Sequence, residues 1–400
     1  MYQFKMNSKD LAEAMKKASI ALPVSKGKGE NECIRLVINK KSKDAEDYRA
    51  VILAFNGKVQ TIGALNIEEV ITETDIPEIN VNGRQLLASA NAFAAMNAAI
   101  ELKIDSEAVV TGAGSRVALK LGKSVMALKA SETVMQEVEI SGEEFTQFMN
   151  FGISCFGTEK GMHGIHCVAV RIDASANRIF AVSTNGYRCA YAETTNIKMY
   201  SLKKPQNSQE DEDTSAGAPA ITAIVEGKIL KSAIQNYLGK KKVYLGIDDK
   251  MLRIRSGTDV VMILQQEVDY PLEPMLKLIE GNKSLGRWKA PYIKVLQSLS
   301  VCEIAMDSMW LEICKEDDNH ILFRGKDGVT KTSIFCAMEG EIQRVVLDES
   351  HLKNALSVFS KEQDIIVESV GERRPFVIRQ KEDDPNMILV FPIADDEEEE

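Results

Sequence analysis

Apolar and polar positions alternate in short runs along this chain, and the runs are interrupted at six places by a different rhythm. From Cys167 to Ala190, Val168–Ile172 and Ile179–Val182 alternate with period two around a turn-like Asp173–Arg178. This pattern predicts two neighbouring strands. The second run leads into Ser183-Thr-Asn-Gly-Tyr-Arg-Cys-Ala190, where Asn185-Gly186 signals a tight turn. Six times a strand residue and a polar cap are followed, five positions after the strand residue, by an apolar residue. The pairs are Met6/Leu11, Val81/Leu86, Ile140/Phe145, Val225/Leu230, Trp288/Ile293 and Leu347/Leu352. Apolar residues then continue at steps of three and four, the stripe of a short amphipathic helix. Asn82, Ser141 and Asp348 stand where a side chain can accept the free N–H groups of a first turn, and Pro291 suits the start of the fifth copy.

Strand candidates lie between the helices: Ile34–Ile38, Ala50–Phe55, Ile100–Ile104, Val243–Ile247, Ile321–Arg324 and Ile365–Val370. The repeat length exceeds that of the usual solenoids. Two units per domain give an α+β chain of three similar domains: 1–133, 134–274 and 275–394. Residues 196–220, rich in charge, Pro, Gly and Ser, read as a loop inside the second domain. Residues 395–400 read as a solvated acidic tail.

Composition narrows the function. The net charge is −10, but without the carboxylates of 210–213 and 395–400 the rest of the chain is neutral. No apolar run has the length of a membrane span, and the N-terminus lacks the apolar core of a signal peptide. Seven cysteines with no C-x-x-C pair fit thiols in a reducing cytoplasm. There is no phosphate loop, no G-x-S-x-G, no H-E-x-x-H and no dinucleotide fingerprint. His163, His166 and Cys167 cluster without a signposted fourth zinc ligand. No catalytic residue, metal or cofactor is therefore assigned, and a metal- or thiol-dependent enzyme built on that cluster is the reading least supported.

Basic residues gather on or beside the six helices: Lys16, Lys17, Arg84, Lys228, Lys231, Lys240, Lys241, Lys242, Lys289, Lys294 and Lys353, with Lys26 and Lys28 after the first. Were the helices to share one surface, this charge would form a sequence-independent track for phosphates.

At this point the chain resembles the β sliding clamp family of bacterial DNA polymerase III. Ser183–Ala190 is similar to the family's A-T-D-G-H-R-L-A. Asp269-Tyr-Pro-Leu-Glu-Pro-Met-Leu276 is similar to F-P-D-Y-x-x-V, and Val390-Phe-Pro-Ile393 to the closing V-M-P-M. The resemblance spans Phe4 to Ile393. It implies three domains, each with two helices and two small antiparallel sheets. Two chains would close head to tail into a homodimeric ring around double-stranded DNA. It also implies a non-enzymatic, cytoplasmic processivity factor with no membrane contact. Polymerase and clamp loader would dock through Q-L-x-L-F-type peptides. By position, the peptide pocket comprises Cys167, Thr184, Gly186, Tyr187, Arg188, Cys189, Pro271, Met275, Leu276, Pro375, Leu389, Phe391, Pro392 and Ile393. Asn185, Tyr187 and Cys189 depart from the family's Asp, His and Leu, so peptide preference is expected to differ. The acidic tail would hang near the pocket mouth and set a negative field there. The alternative reading is a clamp-like peptide-binding scaffold that does not encircle DNA.

Overall fold

The computed structural model describes residues 1–22, 32–40, 47–72, 78–122, 124–125, 127–128, 135–158, 164–202, 220–305, 310–371 and 374–393. Seven helices are present among them: α1 (Ser8–Ala18), α2 (Gly83–Ala95), α3 (Gly142–Gly152), α4 (Gly227–Gln235), α5 (Leu272–Gly281), α6 (Tyr292–Ala305) and α7 (Glu349–Leu356). All but α5 start at the six positions expected from the repeat. Each of those six follows directly on a strand. The caps work as predicted where they are seen: Asn82 Oδ1 accepts from Gln85 N, and Asp348 accepts from Ser350 N and His351 N. Asn7 caps α1 in the same way, a role the sequence pattern did not assign. Pro291 ends the strand before α6 instead of opening the helix.

All strand pairs are antiparallel, and they build four sheets in an α+β fold. By its contacts the chain divides into two compact units. The first holds the described residues of Met1–Glu143, Lys198–Ser215 and Ile229–Gln265. Its five-stranded sheet runs Glu69–Thr72, Tyr2–Asn7, Ala99–Ile104, Ala108–Gly112, Ser115–Leu119. Its nine-stranded sheet begins Lys198–Leu202, Met135–Ser141, Lys242–Ile247, Met251–Ser256, Asp259–Leu264. It continues Val59–Ile67, Tyr48–Phe55, Cys33–Lys40, Ile79–Asn82. The family resemblance implies two small sheets per domain. Here two strand sets far apart in the sequence fuse into one sheet, with Val260 opposite Ile62, because an unpaired strand edge is satisfied by another edge. The fused junction is fastened by charge as well. Asp259 receives Lys17 at 2.9 Å and Lys240 at 3.1 Å. Met6, Leu11, Leu36, Leu65, Leu86 and Ile100 close around one small apolar void.

The second unit holds the described residues of Glu144–Ile197, Ala216–Lys228 and Gln266–Glu400. Its nine-stranded sheet begins Ile221–Glu226, Cys167–Asp173, Arg178–Thr184, Arg188–Thr194, Met387–Val390. It continues Phe376–Arg379, Asp364–Ser369, Gly286–Pro291, Ala337–Gly340. The four-stranded sheet runs Lys331–Phe335, His320–Gly325, Trp310–Lys315, Val345–Asp348. Around Trp288 a core gathers Leu299, Phe323, Leu347, Leu356 and Ile378. Trp288 meets Phe323 edge to face, with centroids 6.2 Å apart. Each unit carries one buried glutamate clasped by two arginines: Glu137 by Arg253 and Arg255, and Glu312 by Arg324 and Arg344. No described helix is long and apolar enough to cross a membrane.

Candidate functional site

The sequence puts polar, turn-forming residues between two apolar strands at Thr184–Arg188, and in the structure they form the turn that joins two inner strands of the second unit's large sheet. Asn185 Oδ1 accepts from Tyr187 N at 3.1 Å and Arg188 N at 2.8 Å. Thr184 Oγ1 donates to Arg188 O at 2.7 Å and accepts from Gly186 N at 3.0 Å. Gly186 has φ +90, a backbone state that an L side chain resists. The turn is thus fixed by its own side chains, and Tyr187 is left pointing outward with 49% of its surface exposed.

Strand pairing then brings the distant segments together. Arg188 lies opposite Val390, Cys189 opposite Leu389, and Phe376, which follows Pro375, opposite Val390. Phe391 N donates to Tyr187 O at 3.0 Å, and Ile393 N donates to Val346 O at 3.0 Å. The third segment arrives on α5. The sequence suggests only a link there, although Leu272, Met275, Leu276 and Ile279 carry helical spacing and are its buried face. Tyr270 anchors its start by donating to Val182 O at 2.8 Å.

All the proposed pocket residues therefore fall in the second unit, but with different roles. Cys167, Cys189, Met275, Leu276 and Leu389 are buried in one apolar cluster with Tyr270 and Val377, with Phe391 packed against it. They form a filled floor. Thr184 and Pro375 are buried as well. Surface remains on Gly186, Tyr187, Arg188, Pro271, Phe391, Pro392 and Ile393, which form the rim. A cleft of about 240 Å³ opens beside the floor, lined by Arg171, Arg178, Phe180, Tyr191, Glu273 and Glu280. Of the proposed residues only Leu276 lines it. Sequence reading missed His351 of α7, whose ring stacks on Tyr187 with centroids 4.6 Å apart. Nothing in the sequence signals that contact, since the two residues belong to different repeats.

The thiols here are structural. All seven cysteines are unpaired. Burial pushes the Cys155 thiol up to about 11 and Cys189 higher still, so both stay protonated at neutral pH. His163 lies outside the described residues. Cys167 is buried in its strand, and no group of three or more metal-ligating side chains occurs among the described residues.

The candidate phosphate contacts divide into two groups. Lys16, Lys231, Lys241 and Lys294 are exposed, as is Lys228. Others are already engaged by carboxylates: Lys17 by Glu13 and Asp259, Lys240 by Asp259, Lys242 by Glu139 at 2.6 Å, and Lys353 by Glu303 at 2.5 Å. Arg84 lies 3.7 Å from Glu32, and Lys289, on a strand, 3.8 Å from Asp364. Lys26 and Lys28 are outside the described residues.

No family model and no curated protein matches the sequence. Solved structures do match. The DNA polymerase III β subunit from Pseudomonas aeruginosa superposes with a TM-score of 0.75 at 12% identity, covering 98% of this chain and 100% of that one. The β subunit from Thermotoga maritima gives 0.76 at 13%, with the same coverage. The chain has the DNA sliding-clamp fold. A third sliding-clamp structure, the Helicobacter pylori β clamp bound to a DNA ligase peptide, gives 0.76 at 14%, again over 98% of this chain and 100% of the other. At such identities the likeness is one of fold, and the fold is shared from end to end.

Proposed function

We propose that this chain is a DNA sliding clamp: a non-catalytic ring of two copies, three domains each, that encircles duplex DNA and tethers polymerases and their loader. The observation that carries the reading is the end-to-end sliding-clamp fold, together with the hairpin, α5 and the Phe391–Ile393 segment meeting on the second unit's large sheet. Grip on DNA would come from phosphate contacts alone, which permit sliding. The decisive experiment is retention on DNA after loading. A ring stays on a closed circle and escapes once the circle is cut to a line. Equal release from both forms leaves the second reading, a clamp-like peptide-binding scaffold that does not encircle DNA. The carboxylate partners of Lys17, Lys240, Lys242 and Lys353 favour that alternative, because they reduce the charge offered to phosphates.

The exposed lysines give a sharper measurement. Replacing Lys16, Lys231, Lys241 and Lys294 by Gln should flatten the salt dependence of duplex binding, by up to about one slope unit for each phosphate that is no longer neutralised. Replacing Lys240 and Lys242 should change it little. The reverse ranking would show that the ion pairs open on DNA.

For the peptide site, Phe391→Ala removes an apolar contact at the junction of rim and floor. Affinity for a Q-L-x-L-F-type peptide should fall by about 1–3 kcal/mol, the range for an anchor residue of an interface. Calorimetry giving equal affinities for the two chains would remove Phe391 from the site.

A further inference from the structure

We propose that a cleft beside α3 is a second docking site, one that takes an arginine-bearing segment of a partner protein. The inference depends on neither the proposed ring nor the peptide site. It starts from a sequence feature that those readings leave unused. Of the six repeated helices, α3 alone carries no Lys, Arg or His, and its first turn holds Glu143 and Glu144 instead. The helix packs on the face of the large sheet opposite α5. A Cβ on Gly152 would meet those of Ala181 at 2.6 Å and Ala192 at 3.4 Å. These two alanines alternate along their strands with Phe180 and Tyr191, which belong to the α5 cluster.

The cleft opens between α3 and the chain that follows α7, with a volume of about 580 Å³, within the range of ligand sites. Phe151 and Phe359, edge to face with centroids 5.4 Å apart, form its apolar wall. Three carboxylates line it, Glu144, Glu193 and Asp384, and among the described residues no Lys or Arg does. Lys361 and Lys381 adjoin the lining in sequence without joining it. Glu193 is already held by Arg178 at 3.1 Å and by Tyr191. Asp384 forms no ion pair with a described residue. Its Oδ1 accepts from Asn386 N at 3.0 Å, and Arg379, which donates to its backbone carbonyl, pairs with Glu368. Gln380 donates through Nε2 to Ser360 O at 2.8 Å, which leaves its carbonyl oxygen as an acceptor. Charge complementarity selects the occupant. Uncompensated carboxylates repel phosphate, so duplex DNA and acidic peptides are disfavoured here. A lysine ammonium would answer the charge alone. A guanidinium offers five donors to carboxylates and amide oxygens, and a flat face to the ring of Phe151.

The test measures binding of a capped Arg-Gly-Arg-Gly-Arg peptide to the full chain by calorimetry, beside its lysine counterpart and a DNA duplex. A chain of net charge −10 attracts any cation, so the variants decide. Glu144→Gln with Asp384→Asn should weaken the arginine peptide by about three- to thirtyfold, the range of two part-exposed ion pairs. Glu68→Gln with Asp318→Asn, exposed carboxylates outside the cleft, should leave it unchanged. Asn150→Lys, at an exposed position of α3 that lines the cleft, should weaken it as well without touching the core. Phe151→Leu keeps an apolar side chain and should bring the arginine peptide's affinity down to that of the lysine peptide. Equal affinities for wild type, the Glu144/Asp384 variant and Asn150→Lys overturn the proposal. Competition by the DNA duplex, or by a Q-L-x-L-F-type peptide, overturns it too, because either places the arginine peptide elsewhere. A lysine peptide that binds wild type as tightly as the arginine one overturns the choice of arginine.

Discussion

Glu137→Ala is expected to destabilise the first unit by about 2–3 kcal/mol. The carboxylate of Glu137 is almost wholly out of water, with 1% exposure. Arg255 reaches it through both Nε (3.0 Å) and an Nη (2.6 Å), and Arg253 through an Nη at 3.0 Å. Removing one member of a buried ionic cluster costs about 3–5 kcal/mol when the survivors are left without counter-charge. Here the arginine side chains are 27% and 34% exposed and can partly rehydrate, which places the expectation below that range. Arg255 also lies 3.9 Å from the ring centre of Tyr244, a contact that loosens once the arginine is released. The pH dependence has a definite sign. Burial alone would raise the Glu137 pKa, but the hydrogen bonds and charge of Arg255, with those of Arg253, outweigh it and hold the carboxyl below its usual value of 4.5. A depressed carboxyl contributes stability above the unfolded pKa and loses it as pH falls through the folded one. Denaturant midpoints for wild type and Glu137→Ala should therefore differ most above about pH 5 and converge in acid below pH 4.5. A constant gap down to pH 3 would show that packing, not charge, is what the substitution removes.

The second large effect concerns assembly. Under the proposed ring, an edge of each of the two smaller sheets supplies a joint: Ser115–Leu119 at the end of the five-stranded sheet and Lys331–Phe335 at the end of the four-stranded one. An edge strand offers a row of unpaired backbone groups to a second copy. Phe335, on the second of these strands, is 71% exposed, and Val301 on α6, the helix packed against it, is 47% exposed. Such large apolar surface on an edge is what a partner strand would cover. Phe335→Glu should put an unpaired charge into that joint and weaken association at least tenfold, or by a factor of a hundred or more if the carboxylate is fully enclosed. Light scattering at micromolar concentration should give twice the 44.3 kDa chain mass for wild type and a mass near one chain for the variant. A wild type that stays monomeric, or a variant that stays dimeric, would place the joint elsewhere.

The six helix starts were legible in the sequence because each rests on a local signal, an apolar stripe within the first turns, joined at Asn82 and Asp348 by a capping side chain. The same holds for the strands of Cys167–Asp173 and Arg178–Thr184, short apolar runs on either side of a polar turn, although both faces of these runs are buried rather than one. Helix α5 escaped notice because a Tyr-Pro turn and a second proline, Pro274, disguise its start. Sheet fusion was not legible for a different reason. Nothing in the residues around Val260 or Ile62 specifies which distant edge each will meet. Ion pairing hid in the same way. Lys17 and Lys240 look like surface charge in the sequence, and only the fold brings Asp259 to both. The pocket residues were found by resemblance, whereas their division into floor and rim, and the stack of Tyr187 on His351, follow from tertiary packing alone.

The fused sheets also bear on how the protein is made. Val260 pairs with Ile62, and Leu389 with Cys189, across roughly 200 residues of chain in each case. A ribosome adds about 5–20 residues per second, so strand Val59–Ile67 waits on the order of 10–40 s for its neighbour to be synthesised. During that time Val59–Ile67 on the first sheet, and Arg188–Thr194 on the second, face solvent as unpaired, apolar-rich edges. Nascent chains of this protein should therefore depend on holding chaperones in two overlapping windows, each closing when the late strand leaves the exit tunnel.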